Sequence, residues 1–168
     1  MASKSVFGRV AAFATLSAAL VACAPAVTES ATARALAANS PLVITRISAS
    51  SPNSAGGIDV DVDAVNVSDR TIKYIRYTVE LYNAVGDVVA DEITGSSTRR
   101  LLDTGPYRPG DSAAWGSWPT VFYNYAGRCV IVLSMSVTFA DDSTVTIQGA
   151  DLEASMNSPG MNRCDVSL

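Results

Sequence analysis

Apolar and polar residues alternate with a period of two through the middle of the chain, and this pattern constrains the fold more than any other feature. Ile58, Val60 and Val62 alternate with three aspartates, and four apolar side chains share one face in residues 71–82. This period is typical of a half-buried β-strand. Because such a strand buries only one face, it needs a second layer of structure. The pattern therefore predicts packed β-sheets.

Candidate strands recur along residues 41–148, where Gly, Pro, Asn and Asp separate them. About seven to nine fit into this stretch, with turn residues roughly every 8–12 positions and no long amphipathic helix between them. This spacing is typical of an antiparallel, immunoglobulin-like β-sandwich. We therefore predict an all-β domain over residues 41–148. The polar residues 149–168 are expected to form a C-terminal tail.

The N-terminal 22 residues have the composition of a secretory signal. A segment with Lys4 and Arg9 precedes an apolar run of about 12 residues, and small residues follow. The run is shorter than the roughly 20 residues that a membrane-spanning helix needs. We therefore predict a cleaved signal peptide over residues 1–22 rather than a permanent transmembrane anchor.

The apolar run ends at Leu20-Val21-Ala22-Cys23. These four residues resemble the lipobox of bacterial lipoproteins. The resemblance implies cleavage before Cys23, acylation of this cysteine with palmitate-type chains, and attachment of the exported protein to the extracytoplasmic side of the cell membrane. The competing interpretation is ordinary cleavage after Ala26, because Ala24-Pro25-Ala26 fits the small-x-small rule. Both interpretations predict export, and only the first predicts a lipid anchor.

The chain has three cysteines. If Cys23 carries lipid, Cys129 and Cys164 are left as one pair, and an oxidising compartment favours a disulfide between them. The alternative is two free thiols. The chain has no Cys-x-x-Cys motif and no histidine. We therefore predict no zinc site, no other metal and no cofactor.

Residues 23–40 contain much Ala, Thr and Ser and few large apolar residues. Such a segment buries too little surface to order itself, so a flexible tether is predicted. Because Ala is the best helix former, a short helix near residues 31–38 is the alternative.

The charge of the mature chain restricts its partners. Removal of residues 1–22 takes away Lys4 and Arg9 and leaves 10 basic against 16 acidic residues, a net charge of −6. Binding of nucleic acid needs a basic surface, so nucleic acid is excluded as an expected ligand. The expected partner is a neutral or basic protein or glycan.

Residues 52–87 read PNSAGGIDVDVDAVNVSDRTIKYIRYTVELYNAVGD. Together with Thr104-Gly105-Pro106, the Trp/Tyr-rich residues 115–124 and the hairpin at 139–143, they resemble an uncharacterised family of bacterial extracytoplasmic domains. The pattern is also similar to the FxLYD-like sandwich modules of bacterial lipoproteins. The resemblance spans residues 52 to about 147 and implies a sandwich fold, and because the family has no assigned activity it gives no catalytic residues to carry over. One departure is Asp142, where the family often has Gly, so Asp142 is expected in the left-handed conformation.

Candidate catalytic and metal-binding groups are few. A Ser-Lys pair would need Lys73, the one lysine beyond residue 22, and its strand position predicts a solvent-facing side chain. Asp59, Asp61 and Asp63 share one strand face, but a straight row of carboxylates does not converge as calcium requires. We interpret the row as a solvated face and predict that the protein is not an enzyme.

Six aromatic residues lie between residues 107 and 125, beside Gly105-Pro106 and Pro109-Gly110. They either fill and cap the sandwich or form a binding surface. The sequence thus predicts a non-enzymatic envelope lipoprotein. The alternative is a carbohydrate-binding accessory module, which would need exposed aromatic rings. The candidate binding surface consists of Tyr107, Trp115, Trp118, Tyr123 and Tyr125.

Overall fold

The protein is a sandwich of two antiparallel β-sheets with a short helix at each end. The computed structural model describes residues 27–164, apart from the side chains of residues 114–116. The predicted signal peptide, Cys23 and the side chain of Trp115 therefore lie outside the described part. In chain order the elements are α1 (Glu29–Ala37), β1 (Leu42–Ala49), β2 (Gly57–Asn66), β3 (Ile72–Asn83), β4 (Thr98–Tyr107), β5 (Ser112–Tyr123), β6 (Gly127–Phe139), β7 (Thr144–Gln148) and α2 (Gly149–Ala154).

The seven strands of the described residues divide into a three-stranded sheet, β1-β2-β5, and a four-stranded sheet, β4-β3-β6-β7. All neighbouring strands are antiparallel. In the immunoglobulin constant-type order the fourth strand lies in the sheet of the first, second and fifth. Here β4 lies beside β3 instead. The predicted all-β sandwich is confirmed.

The core lies between the two sheets, where the period-two pattern places it. Ile58, Val60 and Val62 are completely buried, and so are Ile75 and Val79 from the facing sheet. Burial of each such side chain contributes about 1.5–3 kcal/mol. The strands are therefore held in register because a slip by one residue would expose these side chains.

Within the described residues 27–40 the chain forms helix α1 rather than a flexible tether, which agrees with the alternative of a short helix near residues 31–38. Thr28 caps the helix by accepting a hydrogen bond from the Ala31 N–H at 3.1 Å. Ala31 and Ala35 lie one turn apart on the same face and are completely buried against Val43. Because alanine is small, the helix backbone lies close to the sheet, and tertiary contact supplies the stability that the helix itself lacks.

The C-terminal segment is also more ordered than the expected tail. Leu152 and Met156 are buried in the main core. The Ile44 N–H donates to the Ser155 carbonyl at 2.8 Å, and the Asn157 N–H donates to the Ile44 carbonyl at 2.9 Å. These bonds cover part of the free edge of β1, an edge that would otherwise be open to pairing with another chain.

Cys129 and Cys164 form a disulfide, with an S–S distance of 2.03 Å and a Cα–Cα distance of 5.7 Å. It joins the start of β6 to the end of the described chain. At the β6–β7 hairpin, Asp142 has φ of 64°, the left-handed conformation expected where the resembled family often has Gly. Neither helix of the described residues is long and apolar enough to cross a membrane.

Candidate binding face

The aromatic residues of 107–125 do not form one surface. Tyr107 ends β4 and pairs with Ile72, whereas Tyr123 ends β5 and pairs with Gly57. β5 has 12 residues and spans roughly 36 Å at the usual rise of a strand. The two tyrosines therefore lie near opposite ends of the sandwich, although they are 16 residues apart in sequence.

Tyr107 and Trp118 seal the side of the sandwich where β4 and β5 meet. The Trp118 indole N–H donates to the Leu102 carbonyl at 3.0 Å, and its ring lies edge-on to Tyr77 at 5.9 Å. The Tyr107 hydroxyl donates to Asp103 at 2.7 Å. Burial, together with this bond to a carboxylate, raises the pKa of Tyr107. The Trp118 contacts join the two sheets, whereas the Tyr107 hydrogen bond stays within β4 and its ring packs against the core.

The other aromatic residues near the far end are less engaged with the core. Tyr123 is half-buried, and Tyr125 is 57% exposed, with its hydroxyl donating to the Ser54 carbonyl at 3.0 Å. Phe122 is completely buried between the sheets. Among the aromatic side chains of 107–125 that the structure describes, one exposed ring does not provide the platform of several rings that the carbohydrate-binding alternative needs.

A different surface has the properties of a binding site: the outer face of the four-stranded sheet, which we call the hydroxyl face. Its side chains alternate with the buried ones of β3, β4, β6 and β7, and the strand pairing arranges them in three rows. The first row is Thr104, Tyr74, Thr138 and Thr144; the second is Leu102, Arg76, Ser136 and Thr146; the third is Arg100, Thr78, Ser134 and Gln148. Seven of these twelve residues are Ser or Thr, and all are at least partly exposed.

The hydroxyl face carries two cations that have no carboxylate partner among the described residues. Arg76 and Arg100 are exposed. Arg76 donates to the Thr138 hydroxyl at 3.3 Å and lies 5.4 Å from the Tyr74 ring centre. The nearest carboxylate along β3, Glu80, instead accepts from the Tyr82 hydroxyl at 2.8 Å and the Ser97 hydroxyl at 3.1 Å. Within the three rows Arg76 and Arg100 are the only charged side chains, and the carboxylate of Glu80 lies beyond the third row on the same face.

Acidic residues are concentrated on the outer face of the other sheet. Asp59, Asp61 and Asp63 all point away from the core, as their spacing predicts. Arg46 lies 2.7 Å from Asp63 and 3.6 Å from Asp61. Within residues 27–164 no group of three or more acidic or cysteine side chains is placed to hold a metal ion. The two faces of the sandwich thus differ in the sign of their charge.

A cleft of about 260 Å³ adjoins the first row of the hydroxyl face. It arises where the β3 register shifts between Ile72 and Tyr74. Gly105 is required there, because a Cβ atom at this position would lie 2.5 Å from the Ile72 carbonyl oxygen. The remaining walls include Lys73, Thr104, Pro106 and Ala140.

Lys73 stands at the rim of this cleft and is paired with a carboxylate. Its ammonium lies 2.7 Å from Asp142, and the hydrogen bond to this carboxylate raises the pKa of Lys73. It is half-exposed, as its strand position predicts.

A second cleft of about 380 Å³ lies between the end of α1 and the β6–β7 hairpin. Its cation, Arg70, is bound to Asp141 at 2.6 Å and lies 3.7 Å from the Phe139 ring centre. Because these contacts already satisfy Arg70, this cleft presents no free charged group from that residue.

The chain matches no family model, no curated protein and no solved structure in the comparisons. The resemblance to extracytoplasmic sandwich modules therefore stays a prediction, and function has to be argued from the site. Sequence reasoning missed the hydroxyl face because alternation was used only to locate the core. The signal was present as Ser or Thr at alternate positions in residues 134–138 and 144–146.

Proposed function

We propose that this protein is a lipid-anchored, extracytoplasmic interaction module without enzymatic activity, and that the hydroxyl face with its adjoining cleft is the binding surface. One observation carries the proposal: Arg76 and Arg100 are exposed on a hydroxyl-rich face and have no carboxylate partner in the described part of an acidic chain. Guanidinium groups in this position retain their donors for a ligand.

The proposed anchor is lipid on Cys23. Val27 packs beside Ala31 and Ala35, and the Thr28 N–H donates to Asn157 at 3.3 Å. The chain from Cys23 to Val27 therefore reaches at most about 14 Å. This supports a sandwich held close to the bilayer, with the side that carries α1 nearest to the lipid.

The proposed lack of enzymatic activity is supported by the ion pairs of the candidate catalytic side chains. Lys73 is held charged by Asp142, and Asp61 and Asp63 are engaged with Arg46. The carbohydrate-binding alternative that the sequence raised depends on the aromatic residues of 107–125. The fold divides these residues between two ends of the sandwich.

The anchor and the binding surface are tested separately. Cys23→Ala should move the protein from the detergent phase to the aqueous phase after export. Identical partitioning of the variant and the wild-type protein would contradict the lipid anchor.

For the binding surface, a photoreactive residue at Thr146, on the hydroxyl face, is compared with one at Ser117. Ser117 is exposed on the outer side of the opposite sheet. Cross-linked adducts in the envelope are expected from position 146 and not from position 117. The reverse pattern would place the binding surface on the three-stranded sheet.

A further inference from the structure

We infer that the hydroxyl face binds a linear glycan that carries carboxylate or phosphate groups. This inference rests on the proposed function and names the class of partner for the same surface. Three features of the face support it: its hydroxyl groups, its unpaired cations, and the cleft beside Tyr74.

The hydroxyl groups favour a glycan over a protein. Protein interfaces are enriched in aromatic residues and Met and depleted in Ser, and their centres become dry. Here Ser and Thr dominate the face, and Tyr74 is its one aromatic residue in the three rows. A Ser or Thr hydroxyl both donates and accepts hydrogen bonds, as sugar hydroxyls do. Residues two apart on a strand lie about 7 Å apart, so successive rows offer a regular series of such groups to an extended polymer that runs along the strands.

The cations require acidic groups on that polymer. Arg76 lies in the second row on β3, and Arg100 lies in the third row on the neighbouring β4. The planar guanidinium binds a carboxylate or a phosphate through two parallel hydrogen bonds. The net charge of the mature chain predicts a neutral or basic partner. The electrostatic field at one surface, however, depends mainly on the charges nearest to that surface. Asp59, Asp61 and Asp63 lie on the opposite sheet.

The cleft provides a place for one sugar ring. Its volume of about 260 Å³ is below the roughly 300–1,000 Å³ of pockets for drug-sized ligands. Tyr74 and Pro106 supply apolar surfaces against which the C–H face of a sugar can pack, and Thr104 supplies a hydroxyl. Lys73 at the rim is paired with Asp142, so the free positive charge comes from Arg76 and Arg100. The glycan therefore runs across the rows with one ring seated in the cleft.

The test is a titration of the mature protein in mild detergent with polymers of defined chemistry. Polygalacturonate and phosphomannan supply carboxylate and phosphate groups on a glycan, methyl-esterified polygalacturonate removes the charge, and poly-L-glutamate places carboxylates on a polypeptide. Binding of one or both acidic glycans is expected, and the stronger of the two identifies the acidic group. Affinity should fall as salt concentration rises. Equal binding of the esterified polymer would overturn the requirement for charge.

The variants Arg76→Gln and Arg100→Gln should each weaken binding of the acidic glycan about tenfold. Arg46→Gln removes the same charge from the opposite sheet and should leave affinity unchanged. Tyr74→Ala should weaken binding and Tyr74→Phe should retain it, with melting curves confirming that each variant is folded.

Failure of both acidic glycans to bind would overturn the inference. Preferential binding of poly-L-glutamate with the same arginine dependence would also overturn it, and would indicate an acidic protein partner. In either case, cross-linking from position 146 in the envelope would still support the proposed interaction surface. The two proposals can therefore fail independently.

Discussion

The side chain of Asn162 takes the place of a β7 partner for Val132, on the side of β6 opposite to β3. Its Oδ1 accepts from the Val132 N–H at 2.7 Å, and its Nδ2 donates to the Val132 carbonyl at 2.8 Å. β7 pairs only with residues 134–138 of β6, so the ladder ends before Val132. Cys164, two residues after Asn162, is joined to Cys129. The amide and the disulfide therefore fix the C-terminal segment to the same stretch of β6.

Replacement of Asn162 by Ala should destabilise the protein by about 2–4 kcal/mol, because two buried backbone groups lose their partner. The measurement is chemical unfolding with the disulfide intact. Asn157→Ala is the matched control, since Asn157 accepts one longer bond, of 3.3 Å, at the surface. If Asn162→Ala loses no more stability than Asn157→Ala, water replaces the hydrogen bonds of the Asn162 amide.

Reduction of the Cys129–Cys164 bond should lower the free energy of unfolding by about 4 kcal/mol in the chain-entropy model. The two cysteines are 35 residues apart, and reduction frees the unfolded chain to expand. The comparison is between oxidised and reduced protein, with the Cys129→Ser and Cys164→Ser double variant as a check. That variant should match the reduced protein and show no response to reductant.

Asp91 makes part of the stability depend on pH. Its side chain is 1% exposed and accepts from the Tyr123 N–H at 2.6 Å and the Thr94 N–H at 2.7 Å, with Arg99 at 2.9 Å. Burial alone raises the pKa of Asp91, but these bonds and Arg99 outweigh burial and hold the pKa below its ordinary value. A lowered pKa in the folded state stabilises the protein above the ordinary pKa of about 3.9. This contribution is lost as pH falls through the lowered value.

Between about pH 6 and pH 2, the free energy of unfolding should therefore fall less for Asp91→Asn than for the wild-type protein. The variant starts less stable and has less to lose on acidification. Glu92→Gln removes an exposed carboxylate from the same loop and should follow the wild-type curve. Parallel curves for the wild-type protein and Asp91→Asn would contradict a role for Asp91 in acid sensitivity.

Several parts of this structure follow from local patterns in the sequence. Alternation identifies Ile58, Val60 and Val62 as core residues because strand periodicity is a property of neighbouring residues. The disulfide follows from the cysteine count. The rows of the hydroxyl face could not be predicted in this way, since register depends on bulges such as the one between Ile72 and Tyr74. The aromatic residues looked clustered because they are close in sequence, whereas β5 carries them along the length of the sandwich.

Gly105→Ala should destabilise the protein by about 1–3 kcal/mol, because the new methyl group meets backbone atoms that cannot move aside freely. A Cβ there would lie 2.5 Å from the Ile72 carbonyl oxygen and 2.7 Å from the Tyr107 nitrogen. Thermal unfolding measures the effect. The neighbouring change Thr104→Ala adds no atoms at an exposed position and should alter stability by less than about 0.5 kcal/mol. Equal stability of the two variants would show that β3 and β4 can separate without cost.

Docking of α1 should depend on Ala35, which is completely buried against the sheet, and its loss should leave the sandwich folded. Ala35→Glu places a charge among buried apolar atoms, which is costly without a partner, so the helix should detach. Amide hydrogen exchange should then show loss of protection in residues 29–37, while the buried strands β2 and β3 keep theirs. Ala33→Glu is the control, because Ala33 is exposed on the same helix. Protection of residues 29–37 in both variants would indicate that contacts other than the Ala31 and Ala35 face hold the helix to the sheet.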